Sequence, residues 1–253
     1  MLRTILRTPL FVVTLLAVGL TSSVGIGQGT KPTAPPADKP AERLKIDFWK
    51  KRHEKFLEQT KKGGIEVVFL GDSITQGWEG KKAIWDKAFG EFKPGNYGIG
   101  GDQTSHVLWR ITEGKELEGL DPKLAVIMIG TNNTGAHSPE QIAAGIQAIV
   151  EQLRRDKPQM KILLLGIFPR ATAPKEVKVV SKEQLNKKIP EVNKRISKLA
   201  DGKMIFYKDI GEKFLTSDGG LSREVMPDLL HLSAKGYEIW AEAIKEDIAR
   251  LLK

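Results

Sequence analysis

Residues 65–77 read IEVVFLGDSITQG, in which an apolar run from Ile65 to Leu70 passes directly into a glycine, an aspartate and a serine. The run predicts a buried strand, and the residues from Gly71 onward predict a tight turn into a helix. A serine at such a turn has an exposed hydroxyl, and its backbone N–H lies near a helix N-terminus, where a negative oxygen is stabilised. The stretch therefore predicts an α/β fold with Ser73 as a candidate nucleophile.

Residues 71–77, taken alone, fit two interpretations. GDSITQG also fits a glycine turn in which Ser73 only caps the following helix. The stretch is not the G-x-S-x-G elbow of lipases, because Thr75 stands where the second glycine would be. The lipase-type α/β-hydrolase fold is therefore disfavoured, and the role of Ser73 needs support from elsewhere in the chain.

Apolar runs alternate with amphipathic stretches along the rest of the chain. The further predicted strands are Leu124–Ile129, Lys161–Phe168 and Met204–Tyr207, with a fainter one near Asn96–Gly98. Predicted helices begin at Ser138, near Pro190 and at Ser233, and the first has a capping-box pattern. Nearly continuous apolar strands that alternate with helices are typical of parallel sheets buried on both faces. We therefore predict a three-layer α/β/α domain around a central, mostly parallel five-stranded sheet.

In such sheets, ligands bind beyond the carboxyl ends of the strands, where two polar loops are predicted. Residues 96–102 read NYGIGGD, and adjacent glycines let a backbone N–H approach a ligand closely. Gln103 stands where a dinucleotide fingerprint requires its third glycine, which excludes that cofactor site. Residues 130–133 read GTNN, and an asparagine amide there can donate to a developing negative charge. Asparagine as a simple turn residue is the alternative.

A third polar stretch, residues 227–233 (PDLLHLS), directly precedes the last predicted helix. An aspartate three residues before a histidine can accept the imidazole Nδ1–H, which leaves Nε2 free to take a proton from Ser73. A surface aspartate beside a histidine near a helix cap is the alternative. Asp228 and His231 are therefore candidates for the orienting acid and the general base.

These motifs follow one another in a set order: Ser73, then Gly101, Asn132 and the pair Asp228 and His231. In this combination the chain resembles the SGNH hydrolase superfamily, and within it the catalytic subunits of the intracellular platelet-activating-factor acetylhydrolase. The likeness extends over most of residues 65–243, including NYGIGGDQTSHVLWRIT, LLLGIFPR and DLLHLSAKGYEIWAEAI.

The resemblance implies a flavodoxin-like SGNH hydrolase fold and a serine esterase that uses no metal and no organic cofactor. The site residues that it implies are the nucleophile Ser73, its partners Asp228 and His231, and the oxyanion donors Ser73, Gly101 and Asn132. Gly100 takes the place of Gly101 if the loop register differs by one residue. His106 and Trp109 fall in the same stretch and are interpreted as packing residues.

Residues 1–29 have the pattern of a secretory signal peptide. Arg3 and Arg7 precede an apolar run from Leu10 to Leu20, and a tail of small residues follows. The run is short for a bilayer span, and an uncleaved N-terminal anchor is the alternative. We therefore expect a secreted or periplasmic protein with no stable membrane span after cleavage.

The residues that follow predict a linker and then one domain. Residues 30–42 (TKPTAPPADKPAE) are rich in proline and small polar residues, which is typical of an extended linker. The hydrolase domain is predicted over residues 43–253. His53, a lone histidine in a charged helical stretch, is expected to face solvent.

The composition excludes several classes of function. None of the 253 residues is cysteine, which excludes disulfides, thiolate metal sites and a cysteine nucleophile. The formal charge of +9 falls to +7 without Arg3 and Arg7. The lysines are dispersed and interleaved with acidic residues, so a nucleic-acid-binding stripe is not predicted.

The predicted activity is hydrolysis of short-chain esters, acetyl esters above all, through an acyl-enzyme. The expected substrate is an acetylated carbohydrate or a small acetyl ester. A platelet-activating-factor-like phospholipid is the alternative substrate, and acyl transfer on the same fold is an alternative reaction. A non-catalytic binding module is the alternative from another class. The resemblance also suggests a homodimer.

Overall fold

Five parallel strands form the central sheet of the computed structural model, which describes residues 34–253. Residues 34–253 contain seven strands in all: β1 (Val67–Gly71), β2 (Pro94–Gly98), β3 (Leu124–Met128), β4 (Lys161–Leu165), β5 (Val179–Val180), β6 (Ile205–Lys208) and β7 (Leu221–Ser222). The order in the sheet is β2-β1-β3-β4-β6, while β5 and β7 form a separate antiparallel pair. The predicted signal peptide and residues 30–33 of the predicted linker lie outside the described residues.

Helices connect the strands and cover the sheet. They are α1 (Asp47–Lys62), α2 (Ser73–Gln76), α3 (Lys82–Phe89), α4 (Thr104–Ile111), α5 (Pro139–Asp156), α6 (Lys188–Ile196) and α7 (Ala234–Leu251). Helices α3 and α7 pack together, and α5 packs between α4 and α6. None of the helices within residues 34–253 combines the length and the apolar character that crossing a bilayer requires.

The strands of the central sheet are buried on both faces, as β1 illustrates. Val67 and Phe69 belong to a core cluster that includes Trp240 of α7. Val68 and Leu70 belong to a second cluster that includes residues of α1, α4, α5 and α6. Successive side chains of a strand point to opposite faces, so the two clusters occupy the two sides of the sheet. The predicted three-layer α/β/α arrangement with five parallel strands is confirmed.

The predicted helix starts have the expected local chemistry. The Ser138 hydroxyl accepts a hydrogen bond from the Gln141 backbone N–H at 3.3 Å, and the Gln141 side chain accepts one from the Ser138 N–H at 2.9 Å. Ser233 caps α7 by accepting from the Gly236 N–H at 3.2 Å. Each serine satisfies an N–H that has no partner within the helix.

Residues 34–42, which the sequence assigns to a linker, contact the domain. Ala37 is only 3% exposed, and its carbonyl accepts a hydrogen bond from the Thr104 hydroxyl at 2.7 Å. The Pro35 carbonyl lies 2.9 Å from His137 Nε2. The composition of this segment predicts that it has little helix or strand. It cannot predict contacts with residues as distant in the sequence as Thr104 and His137.

Candidate active site

The carboxyl ends of β1, β2 and β3 bring the predicted polar residues to one edge of the sheet. The register pairs Gly71, the last residue of β1, with Gly98 of β2 and with Met128 of β3. Ser73 comes two residues after Gly71, the glycine loop follows Gly98, and the GTNN stretch follows β3. Parallel strands that end in register thus place three separate sequence motifs side by side.

Ser73 is the first residue of α2, a helix of one turn that packs closely on the neighbouring strand. The Asp72 side chain caps this helix by accepting the Ile74 N–H at 3.0 Å. A Cβ at Gly98 would stand 2.2 Å from the Gln76 backbone nitrogen, so only glycine allows this approach. As the first residue of the helix, Ser73 has a backbone N–H with no intrahelical acceptor.

The side chains of Ser73, His231 and Asp228 form a continuous hydrogen-bonded chain. Ser73 Oγ lies 2.9 Å from His231 Nε2, and His231 Nδ1 lies 2.6 Å from Asp228 Oδ2. Ser73 and His231 are 158 positions apart in the sequence. The structure therefore brings together the three side chains that the sequence proposes as nucleophile, base and orienting acid.

The loop that carries Asp228 and His231 folds back on itself. Asp228 Oδ1 accepts the backbone N–H groups of Leu230 at 3.0 Å and of His231 at 2.7 Å. Leu229 adopts the left-handed region with φ of 62°, which is rare for a residue with a side chain. Partial burial acts to raise the pKa of Asp228, but the hydrogen bonds from His231 lower it below its usual value. Asp228 is thus held as a carboxylate against the imidazole.

The glycine loop distinguishes Gly101 from Gly100. The Gly100 N–H already donates to Gln76 Oε1 at 2.7 Å, whereas the Gly101 N–H has no acceptor among residues 34–253. Gly101 adopts φ of 77°, a conformation that glycine takes without strain. Of the two backbone donors that the sequence leaves open, Gly101 is therefore the one available to a ligand.

Asn132 lies beside this loop in a short 3₁₀ turn after β3. Its Nδ2 donates to the Asp102 carbonyl at 2.9 Å, and its own carbonyl accepts from Gln103 Nε2 at 3.2 Å. An amide nitrogen carries two hydrogens, so one remains for a ligand. These bonds connect Asn132 to the residues that directly follow Gly101.

A buried ionic network under the glycine loop has no counterpart in the sequence-based prediction. Arg110 Nη1 lies 2.8 Å from Asp102 Oδ2, Arg110 Nε lies 2.8 Å from Glu116 Oε2, and all three side chains are fully buried. Burial alone would lower the pKa of Arg110, but Glu116 and Asp102 raise it above its usual value. The one signal in the sequence is that Arg110 belongs to the buried face of α4, together with Val107 and Ile111.

Two further side chains connect this network to the N-terminal part of the domain. Trp49 Nε1 donates to Asp102 Oδ1 at 2.7 Å. Arg43 Nη1 lies 3.3 Å from the same carboxylate oxygen and 3.2 Å from the Gly100 carbonyl. Asp102 therefore fixes the backbone that presents Gly101.

Two histidines outside the Ser73–His231–Asp228 chain, His53 and His106, are buried and hydrogen-bonded within the domain. The expectation that His53 faces solvent is wrong: it is 7% exposed, and Nδ1 lies 2.8 Å from Glu116 Oε1, a residue too distant in sequence to be anticipated. His106 accepts the Gln103 N–H at 2.9 Å, and burial, with Arg43 and Arg110 nearby, lowers its pKa to about 3. The Trp109 ring packs 5.3 Å from the His53 ring.

The residues at this edge carry chemistry suited to acyl transfer. Within residues 34–253, no group of three His, Asp or Glu side chains has the spacing of a metal site. A serine, an imidazole and a carboxylate in line, beside unpaired N–H donors, can activate a hydroxyl and stabilise an oxyanion.

Comparison with known sequences identifies the family to which this chain belongs. The profile of the GDSL-like Lipase/Acylhydrolase family matches residues 69–239. The platelet-activating factor acetylhydrolase IB subunit alpha1 of Rattus norvegicus is 36% identical over 228 residues, which are 89% of this chain and 93% of that protein.

Solved structures share the fold at lower identity. A GDSL-like lipase from Bacteroides thetaiotaomicron superposes with a TM-score of 0.60 at 21% identity, over 78% of this chain and 97% of its own. An acetyl xylan esterase superposes with a TM-score of 0.56 at 21% identity, over 72% of this chain and 99% of its own. These structures share the fold, and the family profile together with the relative at 36% identity shows that the chain belongs to the GDSL-like lipase/acylhydrolase family and is a carboxylic ester hydrolase.

Proposed function

We propose that this protein is an exported serine esterase that removes acetyl groups from carbohydrates or small acetyl esters. The observation that carries the proposal is the hydrogen-bonded chain from Ser73 through His231 to Asp228, next to the free Gly101 N–H and the Asn132 amide. Relatives and structural neighbours whose names specify acetyl esters support the short acyl group. The signal-like pattern of residues 1–29 supports export.

The reaction proceeds in two acyl-transfer steps. His231 Nε2 takes the hydroxyl proton as Ser73 Oγ attacks the ester carbonyl, and the carbonyl oxygen becomes an oxyanion. The N–H groups of Ser73 and Gly101 and the Asn132 amide donate to that oxygen. The imidazolium then returns its proton to the departing alcohol, which leaves acetyl-Ser73. Asp228 holds the imidazole in the required tautomer and stabilises its positive form.

Water completes the cycle. His231 removes a proton from a water molecule as its oxygen attacks the acetyl carbonyl, and a second oxyanion forms at the same donors. Collapse of this intermediate releases acetate and restores the Ser73 hydroxyl with the proton from His231. Every proton is thus moved by His231.

Fluorophosphonate labelling tests the nucleophile. We expect the intact protein to gain the mass of one adduct, located on Ser73 by peptide mapping, and to lose its p-nitrophenyl acetate hydrolysis in parallel. The Ser73→Ala variant should gain no adduct and hydrolyse nothing above background. An unlabelled wild-type protein, or an active Ser73→Ala variant with an unchanged thermal melt, contradicts the proposal.

A series of p-nitrophenyl esters from acetate to octanoate tests the acyl preference. We expect kcat/KM to be highest for acetate and to fall as the chain lengthens. A preference for octanoate contradicts the acetylesterase proposal while leaving the serine mechanism intact. Acetylated xylan and platelet-activating factor then separate a carbohydrate esterase from a phospholipid acetylhydrolase, the candidate that the similarity to the rat alpha1 subunit favours.

A further inference from the structure

A polar cleft opens directly beside Asn132. It has a volume of about 480 Å³ and is lined by residues of the loops that follow β3, β4 and β5. The lining residues with hydrogen-bonding side chains include Thr131, Asn132, Thr134, Arg170, Gln184 and Asn186. No lining residue is acidic.

The cleft adjoins the reacting groups on two sides. On one side, Asn132 is both a lining residue and the proposed side-chain donor to the oxyanion. On the other side, the Ala171 N–H donates to the Leu229 carbonyl at 3.0 Å, within the loop that carries Asp228 and His231. An ester bound at Ser73 therefore has the cleft next to its carbonyl. A methyl group does not need a space of this size, so the cleft suits the alcohol part of an acetyl ester.

The donors of the cleft are only partly used by the protein. Gln184 and Asn186 use their side-chain oxygens to accept backbone N–H groups, of Ser181 at 2.9 Å and of Lys188 at 3.0 Å. Their amide nitrogens have no acceptor within residues 34–253 and are free to donate to a ligand. Amide donors of this kind bind hydroxyl and ring oxygens of sugars.

Two cations at the cleft lack a carboxylate partner in the described part of the chain. Arg170 Nη1 contacts the Thr131 carbonyl at 3.3 Å and the Thr131 hydroxyl at 3.4 Å, and no acidic side chain of residues 34–253 pairs with it. Lys188 is not a lining residue, but its Nζ donates to the carbonyl of the lining residue Thr134 at 2.7 Å and to that of His137 at 2.8 Å. Arg170 and Lys188 both contact only neutral oxygens, so no carboxylate of residues 34–253 compensates their positive charges.

From these contacts we infer that the cleft binds the alcohol part of an acetyl ester and that this alcohol is a sugar with a carboxylate, held by Arg170. The inference rests on the proposed acetylesterase function and names its substrate class. A guanidinium with free N–H donors matches a carboxylate, and the bond between the two charged groups is stronger than one to a hydroxyl. The amides of Gln184 and Asn186 accommodate the remaining sugar oxygens.

A matched pair of substrates tests this inference: mono-acetylated methyl glucuronoside and mono-acetylated methyl glucoside, which differ only in the carboxylate. We expect the wild-type enzyme to hydrolyse the glucuronoside with a kcat/KM at least about tenfold higher, because a charge-assisted hydrogen bond exceeds a neutral one. Raising the salt concentration should reduce this ratio. Equal kcat/KM values for the two sugars overturn the inference, as does a higher kcat/KM for platelet-activating factor than for the glucuronoside.

Variants assign the preference to the guanidinium. Arg170→Gln should bring the ratio of the two kcat/KM values to about one, and Arg170→Lys should restore part of it. Arg155→Gln, which removes an exposed arginine of α5, should leave the ratio unchanged. A preference that survives in Arg170→Gln overturns the inference. Hydrolysis of p-nitrophenyl acetate by the same samples reports on the serine mechanism separately. A wild-type protein that does not hydrolyse this ester would contradict the proposed function, whereas one that hydrolyses it but shows no preference for the glucuronoside would contradict only the inference about the cleft.

Discussion

The protein contains two networks built from the same kinds of side chain, and they differ in burial. In the first, Asp102 and Arg110 are ion-paired with their side chains fully buried. In the second, Asp228 and His231 are paired with 56% and 44% of their side chains exposed. The buried pair is surrounded by fixed partners, whereas the exposed pair ends at the Ser73 hydroxyl, which a substrate can reach.

This difference separates a positioning role from a chemical one. A buried ion pair has lost its hydration, so breaking it leaves an uncompensated charge and destabilises the fold. An exposed pair contributes little to stability, because water solvates either partner. Its histidine can therefore change protonation during a reaction without loss of structure. The Asp102 network holds the glycine loop, and in the proposed reaction His231 of the exposed pair transfers the proton.

The largest effect is expected from the exposed network. Asp228→Asn should reduce kcat on p-nitrophenyl acetate by about 10⁴-fold, because the amide favours the wrong imidazole tautomer. The thermal melt should stay close to that of the wild type, since the carboxylate is more than half exposed. An active Asp228→Asn variant would show that His231 does not need this partner.

The buried network should respond to substitution in the opposite way. Arg110→Met should lower the free energy of unfolding by about 3–5 kcal/mol, because it removes the buried cation that Asp102 and Glu116 share and leaves only Arg43 and His53 beside them. Urea denaturation followed by tryptophan fluorescence measures this loss. Arg155→Met, on the exposed face of α5, is the matched control and should unfold like the wild type. A fully stable Arg110→Met protein would contradict the structural role of the network.

The adjacent residues Asn132 and Asn133 allow the proposed catalytic role and the structural role to be tested one position apart. Asn132→Ala should lower kcat by about 10²–10³-fold with a small change in melting temperature, because it removes a proposed donor to the oxyanion. Asn133 is fully buried and accepts the Thr104 N–H at 3.1 Å, so Asn133→Ala should instead lower the melting temperature. Measuring kcat and melting temperature for both variants gives the comparison. Equal kcat values for Asn132→Ala and the wild type would remove Asn132 from the oxyanion site.

The sequence was sufficient to predict the sheet and the residues brought together at its edge. The strands β1, β3 and β4 could be predicted because each coincides with a nearly continuous apolar run of the length of a strand. Ser73, Asn132 and His231 follow strands or precede a helix, and parallel strands place such positions together whatever the loops do. Local pattern and topology thus agree for these residues.

The environment of the glycine loop could not be predicted in the same way. Glu116 and His53 meet across 63 positions, and no local pattern relates them. The choice between Gly100 and Gly101 depends on where the Gln76 side chain points. Such contacts follow from the packing of α1 and α4 against the sheet, which is decided by three-dimensional fit rather than by periodicity.

Asp72 gives the smallest expected effect among these predictions. Like Asp102 it is buried, but unlike Asp102 it has no ion-pair partner in the part of the chain that the structure describes. Its Oδ2 has no hydrogen-bond partner among residues 34–253, whereas Asp102 has Arg110. Complete burial raises the pKa of Asp72 from 3.8 to about 7. The folded protein therefore holds this proton more tightly than the unfolded chain does. The resulting stability is fully present below pH 3.8 and is lost as the pH rises towards 7.

Asp72→Asn should remove this pH dependence, since an amide does not ionise. We expect the free energy of unfolding of the variant, relative to the wild type, to increase between pH 4 and pH 8 by at most a few kcal/mol. All other titrating groups are common to both proteins, so they cancel in the difference. Urea denaturation at four or five pH values measures it. A difference that stays constant with pH would mean that Asp72 titrates in the folded protein as it does in the unfolded chain, so that its burial has no effect on its pKa.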